Sequence, residues 1–119
     1  MEVFKEFTFD AAHWLPNVPA GHKCGKLHGH TYRVVIAVTG PVDEHTGFVM
    51  DFGDLKRIVQ PYIDDLDHSC LNDHIINPTA ENLVKWLWEI LSEYVDVPVT
   101  SIEVWETPTS GARKRAVFG

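Results

Sequence analysis

One stretch of the sequence decides the fold and carries its most informative side chains: Cys24-Gly25-Lys26-Leu27-His28-Gly29-His30-Thr31-Tyr32-Arg33-Val34-Val35-Ile36-Ala37-Val38. Residues 31–38 are rich in β-branched and aromatic side chains, and this composition predicts a strand. His28 and His30 are two residues apart where this strand begins. Side chains at that spacing lie on one face of a strand, so we expect both imidazoles to point the same way.

A third histidine completes a candidate metal site. His13 ends the first apolar run of the chain, so a neighbouring strand can bring it beside His28 and His30. Histidine is the commonest metal ligand in proteins. Three neutral imidazoles leave one position of a tetrahedral zinc ion open for water or substrate, which is typical of a catalytic site. The alternative is that these histidines are ordinary surface or hydrogen-bonded residues.

Cys24 has three interpretations that its spacing leaves open. Three residues separate it from His28. It could be a fourth zinc ligand that closes the site, a nucleophile or base beside the metal, or an inert thiol. Lys23 and Lys26 flank it in a glycine-containing loop, which predicts an exposed electropositive surrounding. Nearby cations favour the thiolate form, so a reactive Cys24 is the favoured interpretation.

Length and charge limit the classes of protein to consider. The 119 residues predict one domain over residues 1–119, and the net charge of −7 argues against nucleic-acid and membrane-surface partners. No apolar run approaches the length of a membrane span. Two cysteines, Cys24 and Cys70, and a start that does not resemble a signal peptide predict a cytoplasmic protein with reduced thiols.

The hydrophobic pattern predicts an α+β fold with elements in the order β-β-α-α-β-β. Such a chain forms an antiparallel sheet with two helices on one face. The predicted strands cover residues 3–9, 32–39, 99–106 and 113–118, with a short one at 48–50. One helix begins at Asp51 or Gly53, and Pro61 is expected to kink or shorten it. A second helix follows Asn77-Pro78-Thr79, with Thr79 as its N-cap.

The second predicted strand is apolar on both faces. Val34 and Ile36 occupy one face, whereas Val35 and Ala37 occupy the other. The helices can cover only one of these faces. We therefore expect the other face to pack against further copies of the chain.

Other polar residues are weaker candidates for a functional role. Asp67-His68 follows the first helix. A histidine oriented by a carboxylate can transfer protons, but from these residues alone a solvated loop is the favoured interpretation. Glu106 ends a strand, where it either faces water or binds a ligand edge that presents two donors. Residues 113–115, Arg-Lys-Arg, either attract a polyanionic substrate or protect a sheet edge with charge.

Taken together, these motifs resemble the 6-pyruvoyl-tetrahydropterin synthase family over nearly the whole chain. The matching segments are residues 7–13, 21–30, 51–52, 66–68, 71–73, 77–82 and 106–107. The chain is most similar to the branch of the family that forms 6-carboxytetrahydropterin in queuosine biosynthesis, because Cys24 and His28 have the short spacing of that branch. It is unlike family members that carry a glutamate in place of the cysteine.

The resemblance implies a fold, an assembly and a set of site residues. The fold would be the tunnelling fold (T-fold), whose sheets join into a barrel, here in a homohexamer made of two trimers. The family's site residues fall on these positions of the chain: the Zn²⁺ ligands on His13, His28 and His30, the reactive cysteine on Cys24, the proton-relay pair on Asp67 and His68, and the pterin-anchoring glutamate on Glu106.

The resemblance also implies an activity. The chain would be a zinc-dependent lyase that converts 7,8-dihydroneopterin triphosphate to 6-carboxy-5,6,7,8-tetrahydropterin and releases triphosphate and acetaldehyde. Two alternatives stay open. The product could be 6-pyruvoyl-tetrahydropterin, or the chain could be a non-catalytic zinc-bound pterin-binding protein in which Cys24 is a fourth ligand.

Overall fold

The computed structural model describes residues 1–117, apart from the side chain of Tyr94, and it is built around a five-stranded sheet. The strands are β1 (Glu2–His13), β2 (His28–Thr39), β3 (Ser69–Cys70), β4 (Val99–Thr107) and β5 (Ser110–Arg115). The two long helices are α1 (Phe52–Leu66) and α2 (Ala80–Tyr94). Neighbouring strands follow the order β3-β1-β2-β4-β5, so the α+β class is as predicted.

The predicted element order misses one strand. β3 lies between the helices and pairs with β1 in parallel, through Ala11 with Ser69 and Ala12 with Cys70. The other neighbouring strands pair antiparallel. The sheet is therefore mixed rather than wholly antiparallel, and the order β-β-α-α-β-β is incomplete. A two-residue strand is too short to give an alternating pattern, which is why the sequence does not reveal it.

Several predicted boundaries are also wrong. β1 continues beyond the predicted end at residue 9 as far as His13. β5 begins at Ser110 because the connecting turn is only Pro108 and Thr109, so the predicted strand 113–118 is shifted; its Phe118 lies outside the described residues. Residues 48–50 form no strand. They belong to a loop in which the backbone N–H of Asp43 donates a hydrogen bond to the carbonyl of Phe48 at 2.8 Å.

The core lies between one face of the sheet and both helices. In β2 the alternating residues Tyr32, Val34, Ile36 and Val38 are fully buried on this face. The helices contribute buried side chains at helical spacing: Leu55, Val59, Ile63 and Leu66 from α1, and Leu83, Leu87 and Leu91 from α2. Burial of each such side chain stabilises the fold by roughly 1.5–3 kcal/mol. Pro61 lies inside α1 and does not shorten it, because the helix continues to Leu66.

The opposite face of the sheet combines apolar and charged residues. Val35 and Ala37 are buried even within one chain. Ion pairs flank them, with Arg33 Nη1 at 2.8 Å from Glu6 Oε1 and an Arg113–Glu103 pair on the neighbouring strands. The face is thus more polar than β2 alone predicts, and its packing against further copies stays a prediction.

Across residues 1–117, the helices all fall short of the length and apolar content needed to cross a lipid bilayer.

Both long helices begin at side-chain caps, and Thr79 is the cap predicted for the second helix. Asp51 Oδ1 accepts the N–H of Gly53 at 2.7 Å, and Thr79 Oγ1 accepts the N–H of Asn82 at 3.1 Å. Pro78 immediately precedes this second cap, and its carbonyl oxygen accepts a hydrogen bond from Nδ1 of His13. The start of α2 therefore fixes both a helix and a contact to the candidate metal site.

Replacing Thr79 with alanine tests this cap. Loss of the hydroxyl leaves the N–H of Asn82 without its acceptor, so the free energy of unfolding should fall by about 1 kcal/mol. Urea unfolding at one fixed protein concentration measures the change. Thr79→Ser keeps the hydroxyl and should unfold close to wild type. Equal loss in both variants would show that the threonine methyl, rather than the cap, stabilises the helix.

Candidate functional site

Strand pairing brings the three predicted histidine ligands together. His13 is paired with His28 across β1 and β2, and Ala11 is paired with His30, so the three rings share the helix-covered face at the end of the sheet. The ring centroids of His13 and His28 are 4.5 Å apart, and those of His28 and His30 are 4.9 Å apart. One ligand nitrogen from each ring lies within 4.8 Å of the others.

Backbone carbonyls determine which nitrogen of two rings faces the centre. Nδ1 of His13 lies 2.8 Å from the carbonyl oxygen of Pro78, and Nδ1 of His28 lies 2.7 Å from that of Lys26. A carbonyl can only accept, so each Nδ1 carries the proton and donates it. In the neutral rings the lone pair is then on Nε2, and this arrangement is common for metal-binding histidines.

The two Nε2 atoms fit a bound metal. They lie 3.0 Å apart. Two lone pairs that face each other at this distance repel unless a cation or a proton lies between them. Nitrogen ligands about 2.0–2.1 Å from a tetrahedral zinc ion are about 3.3 Å apart, close to the observed separation. The cluster is therefore suited to a metal ion held through imidazole nitrogens.

The electrostatics of His30 also favour the metal-binding form. Burial lowers the pKa of His30 below the usual histidine value, and His13 and His28 lower it further, whereas the Glu106 carboxylate opposes the shift. A lower pKa keeps the imidazole neutral at neutral pH. Neutral imidazole is the form that binds a metal ion.

A cavity of about 420 Å³ opens beside the histidine cluster. Its lining combines residues from β2, the β4–β5 hairpin and the loop before β2: Lys23, Cys24, His28, His30, Glu106, Thr107 and Ser110. Glu106 shares the helix-covered face because it alternates with the buried residues Ile102 and Val104. Its carboxylate is half-buried at the cavity, where it can accept two hydrogen bonds from a ligand.

Hydrogen bonds position the loop that carries Cys24. The carbonyl of Cys24 accepts the N–H of Leu15 at 2.8 Å, and its own N–H donates to Nδ1 of His22 at 3.0 Å. The thiol is free and half-buried. Among residues 1–117, the group with ligand atoms within 4.8 Å contains the three histidines and not Cys24. Cys24 therefore lines the cavity but is outside the group of candidate metal ligands.

The sequence did not point to the groups that orient His13. Tyr32 is fully buried, and its hydroxyl lies 3.2 Å from Nδ1 of His13. Burial and the Glu106 carboxylate raise the pKa of the Tyr32 phenol, so it stays protonated. The spacing could have revealed Tyr32, since it is the next residue after His30 on the same face. No side-chain pattern could reveal the carbonyls of Pro78 and Lys26.

Asp67 and His68 form a pair at the end of α1. Nδ1 of His68 lies 2.9 Å from Oδ2 of Asp67, while Oδ1 of Asp67 accepts the N–H of Asp10 at 2.9 Å. The Asp10 N–H, followed by His68, lowers the pKa of Asp67. The Asp67 carboxylate in turn raises the pKa of His68 above the usual histidine value. The pair thus has the electrostatics of a proton donor beside its orienting carboxylate.

Within one chain, this pair lies outside the histidine cavity. Asp67 and His68 group with Asp10, and His68 lines a cleft of about 630 Å³ whose lining also includes Asp10, Cys70 and His30. By strand alternation, Asp10 and Thr31 lie on the face opposite to the histidine cluster. The structure therefore brings Cys24 and Glu106 to the histidines but leaves Asp67 and His68 elsewhere.

The basic run at residues 113–115 forms contacts within the fold. Arg113 Nε lies 3.0 Å from Glu103 Oε2, and Lys114 Nζ lies 4.7 Å from the ring centroid of Trp88. None of these three basic residues lines the cavity beside the histidine cluster. Their arrangement favours the interpretation as a charged sheet edge over a site for a polyanionic substrate.

Comparison with known proteins gives one consistent family. The profile of the family described as 6-pyruvoyl tetrahydropterin synthase matches residues 2–116. A 6-carboxy-5,6,7,8-tetrahydropterin synthase of Synechocystis sp. is 40% identical over 118 residues, covering 93% of this chain and 90% of the relative. A dihydroneopterin monophosphate aldolase of Pyrococcus furiosus is 36% identical over 101 residues, covering 83% of each chain.

Solved structures agree on the fold. The structure of 6-pyruvoyl tetrahydropterin synthase from Caenorhabditis elegans superposes with a TM-score of 0.87, at 24% identity, over 98% of this chain and 96% of that one. At this level of identity the likeness establishes the architecture only.

Removing a histidine from the cluster should remove the metal. We expect about one zinc ion per chain in wild type. Zinc measured by elemental mass spectrometry should fall to a small fraction of that in His28→Ala and His30→Ala, because two imidazoles alone hold the ion weakly. Far-UV circular dichroism should stay close to wild type, since both residues lie at a cavity. His45→Ala, in an exposed loop, is the control. Full zinc content in either cluster variant would refute the assignment.

Proposed function

The chain belongs to the 6-pyruvoyl tetrahydropterin synthase family, and we propose that it converts 7,8-dihydroneopterin triphosphate to 6-carboxy-5,6,7,8-tetrahydropterin. The reaction consumes one water molecule and releases triphosphate and acetaldehyde, and it is a step towards queuosine. The observation that carries the proposal is the histidine cluster opening into a cavity that also contains Cys24 and Glu106. The product name is that of the Synechocystis relative. We place the enzyme in the cytoplasm, where Cys24 and Cys70 stay reduced.

We propose Zn²⁺ as the resident metal, held by His13, His28 and His30. A zinc ion held by three imidazoles is a Lewis acid that polarises oxygen atoms of a bound ligand. The protein orients two of these ligands and favours the neutral form of the third. The carbonyls of Pro78 and Lys26 hold the protons on the outer nitrogens, and burial keeps His30 unprotonated.

We propose that Glu106 anchors the pterin ring. A carboxylate accepts two parallel hydrogen bonds from a donor pair such as a ring N–H and its neighbouring amino group. Glu106 has a fixed backbone position in β4 and a half-buried side chain at the cavity. The ring would then extend from Glu106 across the histidine cluster towards Cys24, and its side chain would lie over the metal ligands.

Cys24 is proposed to transfer protons between the ring and its side chain. The reaction moves hydrogen from side-chain carbons to the pterin ring, so a group that gives and takes protons must lie beside both. Cys24 lines the same cavity as His28 and His30 but is outside the ligand group. The hydrogen bonds that hold its loop keep the sulfur at the cavity wall.

Asp67 and His68 are proposed to supply the second acid or base from a neighbouring subunit. Within one chain they group with Asp10 rather than with the three histidines, and the metal cavity of that chain does not include them, so the relay would act at the metal cavity of another copy. The buried Val35 and Ala37 on the sheet face opposite to the helices give an apolar patch for such a contact. We propose a homohexamer of two trimers, in which the sheets form a barrel.

Product analysis tests the proposed reaction directly. Purified zinc-loaded enzyme is given 7,8-dihydroneopterin triphosphate, and the products are identified by mass spectrometry. We expect 6-carboxytetrahydropterin and acetaldehyde in equal amounts. A 6-pyruvoyl product would overturn the proposed product and favour the first alternative. Turnover of the monophosphate ester alone would instead place the chain with the aldolase-like relatives.

The variant Cys24→Ala separates an enzyme from a binding protein. If Cys24 transfers protons, the variant keeps its zinc and loses turnover by roughly 10²–10⁴-fold. If Cys24 is a fourth ligand in a binding protein, zinc is lost instead. Cys70→Ala is the matched control, because Cys70 is a half-buried free thiol that lines the other cleft.

The variant Glu106→Gln should weaken pterin binding. Glutamine keeps the size of the side chain but presents an NH₂ donor to the donors of the pterin ring. The unpaired donors should raise KM by about 5- to 150-fold. A pure anchor leaves kcat nearly unchanged, whereas a role in proton transfer lowers it as well. Glu103→Gln, on the other face of β4, is the control. Unchanged KM and kcat in Glu106→Gln would remove this residue from the site.

Mixing two inactive variants tests the shared site. His28→Ala lacks the metal cavity and His68→Ala lacks the relay histidine, so each alone should be inactive. A mixed oligomer combines an intact cavity with an intact relay pair at some interfaces, and activity should return in part after joint refolding. Analytical ultracentrifugation checks the assembly. A monomer at micromolar concentration, or no recovery from a mixed oligomer, would contradict the proposal.

A further inference from the structure

His68 has an unusual backbone conformation that requires stabilising contacts. Its φ of 56° is the one positive value at a non-glycine position among residues 1–117. This left-handed region is disfavoured for residues with a Cβ atom and persists where surrounding contacts enforce it. The backbone N–H of His68 donates to the carbonyl of Asp10 at 2.6 Å. The next residue, Ser69, begins the strand that pairs with β1 at Ala11.

Asp10 also bonds to the other member of the relay pair. Its backbone N–H donates to Oδ1 of Asp67 at 2.9 Å, while Oδ2 of the same carboxylate accepts from Nδ1 of His68. The backbone N–H and the backbone carbonyl of Asp10 are thus both hydrogen-bonded to the pair. The three residues form a closed ring of hydrogen bonds that sets the orientation of the Asp67 carboxylate and of the His68 backbone.

The side chain of Asp10 connects this ring to the strand of the metal ligands. Its Oδ1 accepts the hydroxyl of Thr31 at 2.5 Å, and Thr31 directly follows His30 in β2. One oxygen of Asp10, one oxygen of Asp67 and one ring nitrogen of His68 lie within 4.8 Å of one another. The imidazole therefore has two carboxylates as close neighbours.

We propose that Asp10 is a positioning residue for the proposed relay: its backbone and its Thr31-bonded carboxylate hold Asp67 and His68, so that His68 begins the reaction as a proton donor. The proposal rests on the proposed function, in which the pair acts on the pterin.

The charges around His68 support a donor role. Asp67 reaches the imidazole from the end of α1 and Asp10 from β1, whereas the cleft also contains His30 from β2 and Cys70 from β3. Asp67 contributes most to the raised pKa of His68, and Asp10 adds to it. Two close carboxylates repel each other, and a proton on the imidazole between them relieves that repulsion. Loss of either negative charge should make the imidazolium less stable.

The variant Asp10→Asn tests the contribution of the carboxylate. It keeps the backbone bonds and the size of the side chain but removes one negative charge beside His68. The midpoint of the His68 titration, followed by NMR, should move to lower pH, in the direction of Asp67→Asn. Because the protonated form is the donor, the alkaline limb of the kcat profile should move to lower pH as well. On that limb kcat should fall roughly two- to ten-fold, with zinc content and pterin affinity kept.

Two further variants complete the experiment. Glu6→Gln removes an exposed carboxylate from the same face of β1, where it pairs with Arg33, and should leave the titration of His68 as in wild type. Thr31→Val keeps the charge of Asp10 but removes the hydroxyl that holds it, and should lower kcat with KM kept. It also serves as the test if Asp10→Asn does not fold.

The outcomes separate this proposal from the proposed function. If His68→Ala keeps full turnover, the relay role itself is wrong. If His68→Ala is inactive while Asp10→Asn and Thr31→Val keep the wild-type kcat profile, only the role of Asp10 is overturned. An unchanged NMR titration of His68 in Asp10→Asn also overturns it.

Discussion

The structure depends on two imidazole nitrogens that face each other at 3.0 Å, Nε2 of His13 and Nε2 of His28. Carbonyls of Pro78 and Lys26 hold the ring protons on the far side, so the near side presents lone pairs. Such an arrangement is costly without a positive charge between the rings. Strand register and the capped start of α2 both serve to hold it. The same features therefore stabilise the fold and hold the candidate metal site.

The single chain carries only part of the proposed chemistry at that site. Cys24 and Glu106 join the histidine cluster in one cavity, whereas Asp67 and His68 group with Asp10 outside that cavity. In the proposed function, the site is therefore completed between copies. The proposed barrel would bring a cavity of one copy to the relay pair of the next. Assembly would then be part of the catalytic mechanism as well as a source of stability.

Local patterns in the sequence predict much of the fold and the cluster of three histidines. The two-residue spacing of His28 and His30 predicted their shared face, and Thr79 was recognised as a cap from its neighbours. The missed features depend on distant parts of the chain. β3 is too short to show a pattern, and the contact between Asp10 and His68 joins backbone groups far apart in sequence. Every residue has a backbone carbonyl, so the sequence does not indicate which carbonyls accept hydrogen bonds from the histidines. Only the structure shows these partners.

The coordination of zinc in the purified protein is the most direct test of this account. X-ray absorption at the zinc edge counts the neighbouring atoms and separates nitrogen or oxygen at about 2.0–2.1 Å from sulfur at about 2.3 Å. The account predicts a shell of nitrogen and oxygen neighbours with an imidazole signature and no sulfur. A zinc–sulfur distance would make Cys24 a ligand and close the site. That result would contradict the assignment of Cys24 to proton transfer.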